Sequence, residues 1–264
     1  WQAAGLGTGW SCPIIARGRL YVTGDVGDDL VIHAFDVEGR RLWQAKNGAA
    51  WKGQYPGARA CAAYADARLY HMNAHGRVAC LDTATGKEIW AVDALERFGG
   101  KNITWGMSEC LLVDGRRLYV TPAGSKALMA ALDTRDGSTV WASEPIAGEH
   151  AVYTSPILFR FAGRRLLANC SSSFGFGVDA DTGKLLWRVP VRTQHRATSA
   201  SPCYSDGAVF YVAPDGPDGA LYRLAAAGDT VDASLAWKTP LDTLTGGVVK
   251  VGDLLFGGGY RRDL

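Results

Sequence analysis

Aromatic and cationic side chains recur in five long segments of this chain, which span residues 44–59, 91–108, 142–154, 188–200 and 238–246. Aromatic faces stack on flat groups, and guanidinium or ammonium groups pair with anions. If the segments meet on one concave surface, they predict a site for a flat or anionic ligand. The candidate ligand-binding residues are Trp51, Lys52, Tyr55, Arg59, Lys101, Asn102, Trp105, His150, His195 and Arg196, with Tyr153 and Gln194 beside them.

These residues also have a simpler interpretation, in which Trp51 and Trp105 pack the loops and the cations are solvated. Carboxylates are few in the same segments, and Glu109 and Glu149 are the main ones near the starts of the expected inner strands. A calcium ion needs several oxygen ligands, and Asn102 with Glu109 does not supply enough of them. We therefore predict no catalytic residue and no metal site from these segments.

Three cysteines occupy equivalent positions, because Cys12, Cys61 and Cys110 each lie eight residues before the leucine of an Arg-Leu-Tyr stretch. We expect reduced thiols that fill small core positions, too far apart on neighbouring repeats for a disulfide. A metal cluster is the alternative. The i,i+4 pair of His71 and His75 would suit zinc on a helix, but it spans a strand end and a turn, which favours a structural role.

A phrase with Asp, Gly and Trp recurs along the chain and determines the predicted fold. It reads FDVEGRRLW at 35–43, LDTATGKEIW at 81–90, LDTRDGSTVW at 132–141 and VDADTGKLLW at 178–187, with a stretched fifth copy at 224–237. The closing tryptophans are 47, 51, 46 and 50 residues apart. A period in the high forties is typical of a four-stranded propeller blade with its loops. These tryptophans are Trp43, Trp90, Trp141, Trp187 and Trp237.

The phrase has a mechanical interpretation. Its Asp can accept hydrogen bonds from backbone N–H groups of the turn, and its Gly can adopt a positive φ. The Trp four residues after the Gly is then expected to point toward the next blade and to dock on it. The long segments that join one blade to the next lie on one face of a propeller, around its central funnel.

The residues from Cys80 to Trp90 resemble the tryptophan-docking motif of the pyrroloquinoline quinone-type β-propeller repeat, Ala-x-Asp-x-x-Thr-Gly-Lys-x-x-Trp. The residues from Gly177 to Trp187 are similar, and those from Ala131 to Trp141 keep the Ala, Asp, Gly and Trp. The repeat occurs in quinoprotein dehydrogenases, in the outer-membrane assembly lipoprotein and in other exported bacterial proteins. WKGQYPGARA at 51–60 and GGKNITWGMSE at 99–109 resemble the last group most.

The resemblance implies one all-β propeller domain over residues 1–264, incomplete at both ends and drawn from a ring of seven or eight blades. Trp1 resembles the closing Trp of a preceding blade; a closed six-bladed ring is the alternative. The expected blades lie at about 10–45, 59–92, 107–143, 154–189 and 200–238, with a partial blade at 246–264.

Composition and charge argue against nucleic acid as a partner and against insertion into a membrane. Hydrophobic residues make up 47% of the chain and charged residues 20%, as in a globular protein. The net charge of +2 gives no electrostatic case for nucleic acid. No apolar run approaches the roughly 20 residues of a membrane span, so we expect no direct membrane insertion. A periplasmic or otherwise exported location follows from the family resemblance alone.

Two functions remain open. The first is a non-catalytic binding scaffold whose funnel face meets a protein or glycan, with no cofactor. The alternative is an alcohol or sugar dehydrogenase that uses pyrroloquinoline quinone and calcium. An exposed aromatic patch would favour the scaffold, whereas a closed pocket with a carboxylate of shifted pKa would favour the enzyme.

Overall fold

The computed structural model of the protein describes residues 1–214, 219–243 and 246–259. Strands dominate these residues, and their one helix is a single turn, α1 (Ala94–Phe98). The helix begins after Asp93, whose carboxylate accepts a hydrogen bond from the Glu96 N–H, and it ends at Gly99, where φ is 68°. The prediction of an all-β fold is confirmed.

Within the described residues, the strands form five four-stranded sheets and one two-stranded sheet. The first sheet contains β1 (Ile14–Ala16), β2 (Arg19–Val26), β3 (Asp29–Asp36) and β4 (Arg41–Ala49). The second contains β5 (Ala63–Ala65), β6 (Arg68–Met72), β7 (Arg77–Asp82) and β8 (Glu88–Asp93). The third contains β9 (Leu112–Asp114), β10 (Arg117–Val120), β11 (Ala130–Asp133) and β12 (Thr139–Ala142).

The remaining sheets follow the same plan. The fourth contains β13 (Ile157–Phe161), β14 (Arg164–Cys170), β15 (Phe174–Asp179) and β16 (Leu185–Pro190). The fifth contains β17 (Cys203–Ser205), β18 (Ala208–Tyr211), β19 (Gly219–Ala227) and β20 (Thr230–Thr239). The two-stranded sheet contains β21 (Val248–Val251) and β22 (Leu254–Gly257). Strands adjacent in sequence are adjacent in each sheet, which is the meander of a propeller blade.

The chain divides into two compact units. Unit 1 comprises Trp1–Pro122 and Ala130–Val140, and unit 2 comprises Ala123–Met129 and Trp141–Leu264. The core of unit 1 packs residues from β2, β3, β6 and β7, including Tyr21, Ile32, Leu69 and Leu81. The core of unit 2 is built in the same way from β14, β18, β19 and β20, with Leu166, Tyr211, Tyr222 and Val231 among its residues. Each unit therefore has a hydrophobic core of its own.

In unit 1 the closing tryptophans bind the turn of the following sheet. The Trp43 indole N–H donates to the Thr83 carbonyl at 2.9 Å, and that of Trp90 donates to the Thr134 carbonyl at 3.0 Å. A Cβ added to Gly137 would lie 2.7 Å from the Trp90 ring, so this ring packs directly on the turn glycine. Trp1 makes the same bond to the Val37 carbonyl at 2.8 Å, as its resemblance to a preceding blade's Trp predicts.

Unit 2 repeats this docking once and then departs from it. Trp141 donates to the Ala180 carbonyl at 3.1 Å. Trp187 instead donates to the Tyr211 hydroxyl at 3.2 Å, and its ring lies against Gly177 of its own sheet. Trp237 remains 42% exposed and packs beside Phe210, with ring centroids 5.6 Å apart. The docking geometry expected of all five tryptophans is therefore seen in Trp43, Trp90 and Trp141.

The turn aspartates have the role that their spacing predicts. Asp82 accepts hydrogen bonds from the Ala84 and Thr85 N–H groups and from the Thr85 hydroxyl, at 3.1, 2.9 and 2.7 Å. The bonds from Thr85 hold the pKa of Asp82 below its usual range. Gly86 closes the turn with a φ of 72°. The Asp82 carboxylate thus stabilises its own turn through these hydrogen bonds, which is a structural role.

Candidate functional site

The segment from Ala50 to Arg59 forms a compact loop in unit 1 that is anchored at Trp51. The Trp51 backbone N–H donates to Asp25 Oδ2 at 2.8 Å, and its indole N–H donates to the Gln54 carbonyl at 3.0 Å. Its ring lies 5.5 Å from the His75 ring. Trp51 is thus half-buried and holds the loop, as the simpler interpretation of this residue predicts.

Arg59 fixes the tip of the same loop. Its guanidinium donates to the carbonyls of Gln54 and Tyr55 at 2.9 and 2.7 Å and lies 5.5 Å from the Trp51 ring centroid. Tyr55 has a φ of 53° and is 64% exposed. A bulky residue rarely adopts this left-handed conformation, which persists only where neighbouring contacts enforce it. Arg59 and Trp51 therefore hold the Tyr55 ring out toward solvent.

Trp105 reaches this loop from the segment that follows α1. Its indole N–H donates to Gln54 Oε1 at 2.9 Å. Asn102 shapes that segment, because its side chain donates to the Ala74 carbonyl at 3.0 Å and accepts from the Ile103 N–H at 2.8 Å. Gln54, which sequence reasoning missed, therefore joins the loops that carry Trp51 and Trp105.

Trp10 is a second residue that sequence reasoning missed. It is 65% exposed, and its indole N–H donates to the Pro56 carbonyl at 3.2 Å, next to Tyr55. Like Trp51 and Trp105, it falls outside the period of the docking tryptophans, and that was the signal available in the sequence. We call Trp10, Tyr55 and the exposed Lys52 the aromatic surface of unit 1.

The lysines near this loop are exposed. Lys52 Nζ donates to the Gly27 carbonyl at 2.6 Å and lies 3.3 Å from the Asp28 carboxylate. Lys101 lies in the segment that carries Trp105. Exposed cations flanking exposed rings can pair with acidic groups of a ligand. The arrangement can bind a surface that offers both apolar and acidic groups.

Asp25 is the carboxylate that contacts Trp51 in this loop, while Asp28 pairs with Lys52. Asp25 accepts from the Trp51 N–H, and burial raises its pKa, opposed by that hydrogen bond and by the charges of Arg59 and Lys52. Over residues 1–214, 219–243 and 246–259, no group of three or more His, Cys, Asp or Glu side chains could hold a metal ion. The carboxylates at this loop are Asp25 and Asp28, fewer than the several oxygen ligands with which calcium would hold a quinone.

The other predicted ligand residues lie in unit 2, around Glu149. Arg196 donates to the Gly148 carbonyl and the Ser172 hydroxyl at 2.7 Å each, and it lies 3.2 Å from Glu149. The His150 N–H donates to Ser172 Oγ at 3.3 Å, while His195 is exposed. Arg196 and His150 thus meet at one serine and maintain the local structure.

The two acidic residues singled out in the sequence are both enclosed. The Glu149 side chain is 5% exposed, and its carboxylate accepts from the Ser171 and Ser172 hydroxyls and the Ser173 N–H. Burial acts to raise the pKa of Glu149, but these hydrogen bonds outweigh it and lower the pKa. Glu109 is buried against Thr121. Both carboxylates are thus withdrawn from solvent and satisfied by neighbouring serine and threonine groups.

Comparison with known proteins shows the family. The family model described as outer membrane protein assembly factor BamB matches residues 27–262. The chain belongs to this family. The crystal structure of BamB from Moraxella catarrhalis is similar to it, with a TM-score of 0.61 and 13% identity over 93% of this chain and 78% of that chain.

Quinoproteins are also similar to this BamB-family chain. Quinohemoprotein alcohol dehydrogenase from Comamonas testosteroni has a TM-score of 0.53 and 16% identity over 83% of this chain and 40% of that chain. The curated quinohemoprotein alcohol dehydrogenase ADH IIB of Pseudomonas putida is 25% identical over 132 residues, which is 47% of this chain and 19% of that protein. The chain thus spans less than half of either dehydrogenase. These likenesses show the propeller fold.

Proposed function

We propose that the protein is a non-catalytic scaffold of the cell envelope whose aromatic surface of unit 1 binds a protein partner. The observation that carries the proposal is Tyr55, a bulky side chain held outward in a left-handed conformation by Arg59. Conformations of this kind cluster at binding sites, because other contacts must offset their cost. The chain belongs to the family described as outer membrane protein assembly factor BamB, which supports a protein as the partner.

The chemistry of the surface suggests what the partner offers. Trp10 and Tyr55 are rigid aromatic groups that give large contact area for little lost side-chain entropy, as at binding hot spots. Lys52 and Lys101 add positive charge at the rim. A protein segment with exposed apolar side chains and neighbouring Asp or Glu residues would complement both features.

A quinone-dependent dehydrogenase is the second candidate, because Asp25 lies beside Trp51 with its pKa raised by burial. A catalytic base near a stacking tryptophan has these features. Against it stands the small number of carboxylates at Trp51, because calcium takes several oxygen ligands and no group of three or more His, Cys, Asp or Glu side chains in the described residues could hold a metal ion. In unit 1 the exposed rings of Trp10 and Tyr55 favour the scaffold.

Photo-crosslinking tests the scaffold directly. A photoreactive phenylalanine replaces Tyr55 or Trp10 in the full-length protein in its native cells, and Ile89, an exposed residue of unit 1, serves as the control. We expect discrete protein adducts from positions 55 and 10 that are lost when Arg59→Ala releases the loop. With the adduct partner purified, Tyr55→Ala and Trp10→Ala should each weaken the Kd about tenfold or more.

Two outcomes would contradict this proposal. Equal crosslinking from Ile89 would mean that contact at position 55 is random collision. Adducts with glycans in place of proteins would also contradict it. If the purified protein then bound glycans on an array and Tyr55→Ala lost that binding, the partner would be a carbohydrate.

A further inference from the structure

Three thiols lie in a row across the first three sheets of unit 1. The backbone N–H of Cys12 donates to Cys61 Sγ at 3.3 Å, and the backbone N–H of Cys61 donates to Cys110 Sγ at 3.3 Å. The sulfurs of Cys61 and Cys110 therefore each lie against the backbone of the cysteine one sheet earlier. All three cysteines are reduced, and these two contacts bring them closer together than their spacing in the sequence suggests.

Unit 2 has the same arrangement with oxygen in place of sulfur. The Ser155 N–H donates to Ser201 Oγ at 2.9 Å, across the start of the fourth and fifth sheets. Serine satisfies this backbone N–H better than cysteine does, because sulfur is a weak acceptor. The backbone contact at this position therefore does not require cysteine.

Cys61 and Cys110 meet through both backbone and side chain. The Cys61 N–H donates to Cys110 Sγ and the two thiols are in hydrogen-bond contact, whereas Cys12 meets Cys61 through its backbone N–H. Both residues of the pair are partly accessible, and none of the three is in a disulfide. A disulfide requires Cα atoms within about 4.4–6.8 Å and facing side chains. The thiols of Cys61 and Cys110 face one another just before β5 and β9.

We propose that Cys61 and Cys110 form a reversible disulfide that joins the second and third sheets. The oxidant is a disulfide, either of a small thiol such as glutathione or of a dithiol oxidoreductase. One protein thiolate attacks a sulfur of the oxidant, whose S–S bond breaks and releases one thiolate. The second protein thiolate attacks the mixed disulfide and releases the other. The protein loses two protons and two electrons, and the oxidant gains the electrons as two thiols.

The bridge would join two cysteines that are 49 positions apart in the sequence. Cys61 follows the loop of Trp51 and Arg59 by two residues, and Cys110 follows Trp105 by five. Oxidation would therefore tie together the bases of the two loops that meet at Gln54. An exported location would supply disulfide oxidants of this class.

Redox titration of the full chain tests the proposal. The protein is equilibrated with stepped ratios of oxidised to reduced glutathione, quenched with an alkylating reagent and mapped by non-reducing peptide mass spectrometry. We expect one linked peptide pair, which contains Cys61 and Cys110, and a Tm about 5–10 °C higher than that of the reduced protein.

Serine variants provide the controls. Cys110→Ser should lose both the linked pair and the rise in Tm, while its Tm under reducing conditions matches that of the reduced parent. Cys12→Ser and Cys203→Ser should keep both. A linked pair of Cys12 and Cys61 in place of the expected one, or no linked pair in the native protein at any ratio, would overturn the proposal. The mapping on the unaltered chain stands even if a variant fails to fold.

Discussion

Replacing Trp90 with alanine lowers the free energy of unfolding by about 3–5 kcal/mol, the loss expected for a large buried aromatic side chain. The indole is buried between the second and third sheets of unit 1, where it packs on Gly137. Its N–H also bonds the Thr134 carbonyl at 3.0 Å. Alanine removes both the ring contacts and the N–H that donates to the Thr134 carbonyl. Urea unfolding followed by circular dichroism measures the effect.

Trp237 is the matched control for this experiment, because it closes the same phrase but remains 42% exposed. Trp237→Ala should cost less than half as much as Trp90→Ala, since less of its surface leaves water on folding. Equal losses at the two positions would mean that burial against the next sheet's turn is not what makes these tryptophans stabilising.

Replacing Glu109 with glutamine should stabilise the protein at neutral pH, by about 3 kcal/mol at pH 7. Burial raises the pKa of Glu109 from 4.5 to about 8, opposed by the hydrogen bonds from Thr121. The folded state then holds a proton that the unfolded state releases above pH 4.5. Stability is therefore highest below that pH and falls as the pH rises toward about 8. Glutamine does not titrate, so its variant escapes this loss.

Glutamine also fits the geometry around Glu109. The Thr121 N–H donates to one carboxyl oxygen at 2.9 Å, and the Thr121 hydroxyl lies 3.0 Å from the other. An amide can accept the first bond and donate the second. Thermal unfolding at pH 4, 7 and 8.5 should show the two proteins alike at pH 4 and increasingly separated above it.

Glu149→Gln gives the opposite sign and is the internal comparison. The hydrogen bonds of Glu149 lower its pKa, so its ionised form stabilises the fold above its unfolded pKa, and this stabilisation is lost as the pH falls. Its glutamine variant should be less stable than the parent at neutral pH. A pH-independent difference between Glu109→Gln and the parent would show that Glu109 is not held neutral by burial.

Much of the fold could be predicted from the sequence, because the repeat is built from local chemistry. Asp82 and Gly86 form their turn within five residues. The Trp that follows then docks on the equivalent turn of the next repeat. The phrase is altered in the fifth repeat, which has lost its Asp-x-x-x-Gly core, and Trp187 therefore finds Tyr211 in place of a turn carbonyl. Only the structure could show that substitute partner.

The candidate site was less predictable, because its contacts join distant parts of the chain. The sequence identified Trp51, Arg59 and Trp105 by type, but it could not show that they hold Gln54 and Tyr55 and leave Tyr55 to face solvent. Trp10 depends on a contact 46 residues away. The contacts among the three cysteines also join distant parts of the chain. Their equal spacing predicted one position in each repeat, but it could not show how closely the repeats approach at that position.

Binding of pyrroloquinoline quinone separates a partner-binding scaffold from a quinoprotein in a single titration. The full-length protein is titrated with pyrroloquinoline quinone, with and without calcium, while tryptophan fluorescence is followed, and a quinoprotein dehydrogenase serves as the positive control. We predict no saturable quenching under either condition. Saturable, calcium-dependent quenching at micromolar quinone would contradict the scaffold and make Asp25 beside Trp51 the first residue to test as a base.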